Sequence, residues 1–205
     1  MIWAFWMIKL VIFDLGNVLL KYDDSEYYEY LSKKYGIPYE KVASIIERYN
    51  TKMYTGKMKN SEFLRSVSKS LNIPADKLEF DEYFIRKARI NRKLLNFALS
   101  LKRKYKVVIL TNVYVKRYSS TPRVFDKSQF DRVFASCFIK MRKPNKNIYM
   151  YVLKKCRAKP DEAIFIDDRK ENVEGAESVG IKSIQFKDNG SLLKKLSELG
   201  ISSVK

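Results

Sequence analysis

The chain has 205 residues, 46% of them hydrophobic, which is enough for one well-buried domain with a small insert. It has no histidine, which excludes histidine-dependent serine or cysteine triads and histidine-ligated zinc; any catalysis rests on carboxylates, lysine, hydroxyls or a hard metal. Lys and Arg number 41 against 23 Asp and Glu, a net charge of +18 whose field attracts phosphate esters, nucleic acid and anionic surfaces without choosing among them.

The amino end, "MIWAFWMIKLVIF", is apolar but lacks a basic leading region and breaks at Lys9, short of the ~20 residues of a membrane-spanning helix. This reads as a soluble, cytoplasmic chain with no membrane partner, and Met1 and Met7 are both candidate starts. The cysteines, Cys137 and Cys156, lie in unrelated segments without metal-ligand spacing, which suits a reducing compartment and two buried thiols.

Short runs rich in Val, Ile and Phe then recur at wide intervals: "KLVIFD", "KVVILTN", "EAIFIDD" and "KSIQF", with a further short run, "RVFAS". Each is too short for a helix and most are separated by helical pattern, such as "NKNIYMYVLKKC", "KENVEGAESVG" and "SLLKKLSELG". That alternation predicts an α/β fold, a doubly wound parallel sheet of Rossmann-like form covered on both faces. From Tyr22 to Leu101 the pattern is helical only, with breaks at "GIP" and "NIP". The expected organisation is a core of residues 1–21 and 102–205 and a helical cap subdomain of residues 22–101.

The strands end in polar residues: Asp14, then Thr111 and Asn112, then Asp167 and Asp168. In a parallel sheet these ends share one edge, where open α/β sheets bind ligands. Several carboxylates without histidine suit Mg²⁺, which prefers oxygen donors. A cation to face an incoming phosphate is available in "MRKPNKNIY" as Lys143.

In order and spacing, "FDLGNVLL", "ILTN", "MRKPNKNIY" and "FIDDRKENVEGAESVGI" resemble the four signature motifs of the haloacid dehalogenase-like (HAD) hydrolase superfamily. The closest likeness is to the C1-capped branch with an FDLGNV first motif, which includes sugar-1-phosphate phosphatases and resembles the phosphatase domain of soluble epoxide hydrolases. The resemblance implies a Mg²⁺-dependent phosphatase in which Asp14 attacks phosphorus. Thr111, Asn112 and Lys143 would bind the phosphoryl group or substrate. Asp14, Asp168 and the Gly16 carbonyl would hold Mg²⁺, with Asp167 and Asn172 orienting Lys143 and the metal waters.

One departure stands out. Many phosphatases of the superfamily carry a second Asp two residues after the nucleophile as general acid, and here that place is Gly16; Asp23, Asp24 or an ordered water are the candidate replacements. The expected partner is a small phosphorylated metabolite. Two alternatives stay open: a non-catalytic protein of this fold that binds nucleic acid or another polyanion, and a 2-haloacid dehalogenase. Tyr27, Tyr28, Tyr49 and Tyr54 could each face the site or the interior of the cap. Substrate identity and oligomeric state are not legible.

Overall fold

The computed structural model describes residues 8–202, so the question of Met1 or Met7 as start lies outside the described residues. The chain opens with strand β1 (Leu10–Phe13) and a two-residue strand β2 (Leu20–Lys21). Helices α1 (Asp24–Tyr35), α2 (Tyr39–Tyr54), α3 (Asn60–Leu71) and α4 (Phe80–Lys87) follow. A second two-residue strand β3 (Arg89–Ile90) leads into α5 (Arg92–Leu101), β4 (Lys106–Thr111) and α6 (Val115–Ser120). The remainder is β5 (Arg132–Ala135), the single turn α7 (Ser136–Ile139), α8 (Lys146–Cys156), β6 (Ala163–Asp167), α9 (Lys170–Glu177), β7 (Lys182–Gln185) and α10 (Asn189–Glu198).

Five strands form one parallel sheet in the order β5-β4-β1-β6-β7, so the expected α/β parallel architecture is present. The central strands read as continuous apolar runs because both faces are covered. Val11, Phe13, Val107, Ile109, Ile164 and Ile166 point into one cluster with residues of α5 and α10. Leu10, Ile12, Val108, Leu110, Ala163 and Phe165 point into the other, against α8 and α9. Period-two alternation therefore sorts the side chains of each strand between two cores instead of between core and water.

The helices α1 to α4 build a third cluster of their own, from Tyr27, Leu31, Ile46, Phe63, Val67 and Phe80 among others. Local signals set their ends: Asp23 caps α1 by accepting from the Ser25 amide at 2.8 Å, and Gly36 closes it at φ 63°. Two features differ from the sequence expectation. The stretch read as purely helical contains β3, which pairs antiparallel with β2 as a small ribbon. Helix α5 also buries Leu94, Ala98 and Leu101 with the sheet, not with the other helices of that stretch. Two-residue strands carry too little periodicity to be read, and an amphipathic helix does not announce which apolar surface it will meet.

Gly175 on α9 marks the tightest approach near the Lys143 loop. A Cβ there would lie 2.6 Å from the Pro144 carbonyl oxygen and 3.0 Å from the Pro144 Cβ. Alanine is the better helix former by ~0.5–1 kcal/mol, but overpacking of this kind costs ~1–3 kcal/mol. Gly175→Ala is therefore expected to lower the melting temperature by several degrees in a thermal unfolding scan; an unchanged or raised value contradicts the packing argument.

Candidate active site

Register explains why the strand ends meet. Phe13 lies between Ile109 and Ile166, so the next residues onward, Asp14, Leu110 and Asp167, emerge side by side at the carboxyl edge. The Asp14 amide donates to the Ile166 carbonyl at 2.8 Å, and Asp14 is 7% exposed, Thr111 5% and Asp167 0%. Carboxylate oxygens of Asp14, Asp167 and Asp168 lie within 4.8 Å of one another.

The cation that makes this crowding tolerable is Lys143, 1% exposed. Its Nζ donates to Asp14 Oδ1 at 2.8 Å, to Asp167 Oδ2 at 2.5 Å and to the Leu110 carbonyl at 2.9 Å, which engages all three ammonium protons. Burial alone would lower its pKa, but Asp14 and Asp167 outweigh that and hold it above the usual lysine value. Lys143 belongs to no helix or strand. Asn112 fixes it: the Lys143 amide donates to Asn112 Oδ1 at 2.9 Å, and Asn112 Nδ2 donates to the Lys143 carbonyl at 3.0 Å.

The carboxylates divide by what they already hold. Asp167 is the most heavily engaged: one oxygen takes Lys143, and the other accepts from Asn172 Nδ2 at 2.9 Å and the Arg169 amide at 3.0 Å. Asp14 Oδ1 accepts from Lys143 and from the Leu15 amide, while Asp168 accepts only a long 3.3 Å bond from Asn17 Nδ2. Asp14 and Asp168 therefore have oxygen lone pairs left to offer to the cavity, whereas Asp167 is fully buried, accepts three bonds and does not line it. An all-oxygen donor pair of this kind fits Mg²⁺. Burial pushes the Asp14 carboxyl up to about 7 against the pull of Lys143, and burial followed by Asp167 raises Asp168.

All the sequence-predicted residues converge here. Asp14, Gly16, Thr111, Asn112, Lys143, Asp168 and Asn172 line one cavity of about 390 Å³, and Asp167 lies beneath it. Of the four tyrosines, Tyr28 and Tyr54 line the cavity, Tyr27 is buried in the helical cluster with its hydroxyl on the Leu78 carbonyl, and Tyr49 packs edge-on against Phe63. Among the lining residues that were not anticipated are Arg117, Arg169 and Asn17. Asn17 takes a left-handed turn at φ 55°, which Asn tolerates, and ties that turn to Asp168. Lys143→Met is expected to leave the acidic cluster without its cation, a loss of ~3–5 kcal/mol for a broken buried pair. Because Asp14 titrates above its unfolded value, folding of that variant in EDTA should strengthen as pH falls from about 7 toward 4. Thermal unfolding across that range checks it, and a variant that weakens on acidification refutes the electrostatic account.

The family model for haloacid dehalogenase-like hydrolases matches residues 8–180. Bifunctional epoxide hydrolase 2 of Rattus norvegicus is 35% identical over 116 residues, 54% of this chain and 21% of that protein, so the chain spans about a fifth of its length. The D-ribitol-5-phosphate phosphatase of Bacteroides thetaiotaomicron is 21% identical over 201 residues, 90% of this chain and 94% of that enzyme. A solved HAD-family enzyme from Bacteroides thetaiotaomicron, in a magnesium complex, matches with a TM-score of 0.76 and 25% identity over 92% of this chain and 98% of that one. With a family match across most of its length and the sheet order and strand-end carboxylates described above, this chain belongs to the haloacid dehalogenase-like hydrolases.

Proposed function

We propose that the chain is a Mg²⁺-dependent phosphomonoesterase for a small phosphorylated metabolite, working through an aspartyl-phosphate on Asp14. The observation that carries the reading is the division of labour among the carboxylates. Lys143 and Asp167 neutralise each other below the cavity, while Asp14 keeps an oxygen free at its floor. Similarity to a phosphatase over nearly the full length of both chains supports the same reaction class.

In this reading Asp14 attacks phosphorus, the bond to the leaving oxygen breaks, and water then hydrolyses the acyl phosphate to regenerate the carboxylate. Asp14, Asp168 and the Gly16 carbonyl would hold Mg²⁺, which would supply positive charge to offset that of the phosphoryl oxygens. The Thr111 hydroxyl binds those oxygens and Lys143 balances charge beside them. Asn112 fixes Lys143 through its side-chain amide and, lining the cavity with a donor left over, also contacts the phosphoryl group or substrate. Asn172 acts by holding Asp167. Helices α1 to α4 form a cap over this floor, and α5 goes with the core, which shortens the cap expected at 22–101.

Asp23 is engaged in capping α1 and Asp24 in pairing with Arg117, so a water is the simplest proton source for the leaving group. A Cβ at Gly16 meets nothing within 4 Å, so an acid can be installed there without a clash. Gly16→Asp is expected to raise kcat/KM on alkyl phosphates by ~10²-fold or more, and by less on aryl phosphates. An equal effect on both classes would show that the general-acid place is already filled. Asp14→Asn should lose at least ~10⁴-fold in kcat while keeping its fold by circular dichroism. EDTA should abolish phosphatase activity and added Mg²⁺ restore it. Turnover that survives metal removal would sink this reading and favour dehalogenase chemistry.

A further inference from the structure

Helices α1 and α2 contribute a wall of Asp24, Tyr28, Glu47, Asn50 and Tyr54 to the same cavity that Asp14 lines. Among the described residues, no hydrogen bond within the protein engages the hydroxyls of Tyr28 and Tyr54, the Asn50 amide or the Glu47 carboxylate. Tyr28 is only 4% exposed, and its free hydroxyl is not among the solvent-inaccessible unpaired atoms, so it opens onto the cavity. Unpaired polar side chains lining one open cavity suit a ligand with matching groups.

This wall is held from the side by Arg117 of α6, a residue outside all four motifs and only 8% exposed. Its guanidinium lies 4.7 Å from the ring centroids of Tyr22 and Phe84 and 5.0 Å from those of Phe80 and Tyr114. Nη1 donates to Asp24 Oδ1 at 2.9 Å and Nη2 to the Tyr22 hydroxyl at 3.3 Å, while Nε is buried without a partner. Beside it the Tyr114 hydroxyl donates to Asp81 Oδ1 at 3.0 Å, a second tie between the α6 segment and α4. The planar fork, stacked among four rings, leaves Asp24 and Tyr22 little freedom, and a lysine has no equivalent geometry.

We propose that Arg117 is a positioning residue for substrate choice, its fork on Asp24 and Tyr22 holding the α1–α2 wall as a surface that recognises phosphomonoesters whose leaving group is a polyhydroxylated chain. Hydroxyls both donate and accept, as do tyrosine and asparagine, and they donate to the carboxylates. An apolar chain in the same place would strip water from the wall and return no hydrogen bonds. Sites built to bond a hydroxyl discriminate strongly against an analogue that lacks it. The turnover side of this inference rests on the phosphatase reading, but binding tests it separately.

The test uses Asp14→Asn protein in Mg²⁺, which leaves the ester intact, titrated calorimetrically with sorbitol 6-phosphate and n-hexyl phosphate, two six-carbon phosphates that differ in hydroxyls. Sorbitol 6-phosphate should bind at least ~10-fold more tightly, the effect of one or two hydrogen bonds to charged groups. Adding Arg117→Met should collapse the ratio toward one, with Arg117→Lys intermediate. Tyr54→Phe, which leaves Arg117 and its partners untouched, should lower it several-fold and serves if the Arg117 variants fold poorly. Equal affinity for the two ligands in the parent protein, or an Arg117→Met variant that weakens both ligands alike, would overturn the inference. A preserved ratio alongside a wild type that hydrolyses neither compound nor p-nitrophenyl phosphate would instead uphold the recognition and remove the phosphatase reading.

Discussion

The structure of the site depends on one buried ammonium. Three carboxylates at the end of a parallel sheet repel one another, and taking each from water is costly. Lys143 makes the arrangement tolerable by giving its three protons to Asp14, Asp167 and a main-chain carbonyl. Its position is fixed by the backbone, through the Asn112 amide on one side and the close approach of α9 at Gly175 on the other. The cavity floor is therefore an electrostatic balance maintained by packing. A change in that packing reaches the charge balance without touching a carboxylate.

The three carboxylates illustrate how environment separates residues of the same type. Asp167 lies buried beneath the cavity with three bonds and serves the lysine, whereas Asp14 and Asp168 face the cavity with more capacity left over. Geometry alone would group all three as metal donors. Counting their hydrogen bonds distinguishes them. The net charge of +18 acts on a longer scale, favouring the approach of anions to the protein as a whole.

The helical layer has its own core, so its joint with the sheet is a separate matter of design. The β2–β3 ribbon and the Arg117 cluster form that joint, one by main-chain pairing and the other by a cation among aromatic rings. Tyr114, from the loop after β4, is buried within the helical cluster itself. The joint is thus made by residues of the sheet-bearing part reaching into the helical layer.

The sequence alone determined the sheet and its edge. Four apolar runs and a fifth shorter one became the five parallel strands, the central three being plainest because a strand buried on both faces must be apolar. Asp14, Thr111, Asn112, Asp167 and Asp168 were legible because strand ends in a parallel sheet converge whatever the loops do. Lys143 and Asn172 were legible through their motifs. What only the tertiary structure decided concerns contacts between segments distant in the chain. Arg117 carries no motif in the sequence, and its role follows only from Tyr22, Asp24, Phe80 and Phe84 closing around it. The apolar face of α5 was plain in the sequence, but its partner was not. The choice between cavity and interior for Tyr27, Tyr28, Tyr49 and Tyr54 turned on helix rotation, since a tyrosine has an apolar ring and a polar tip and satisfies either environment.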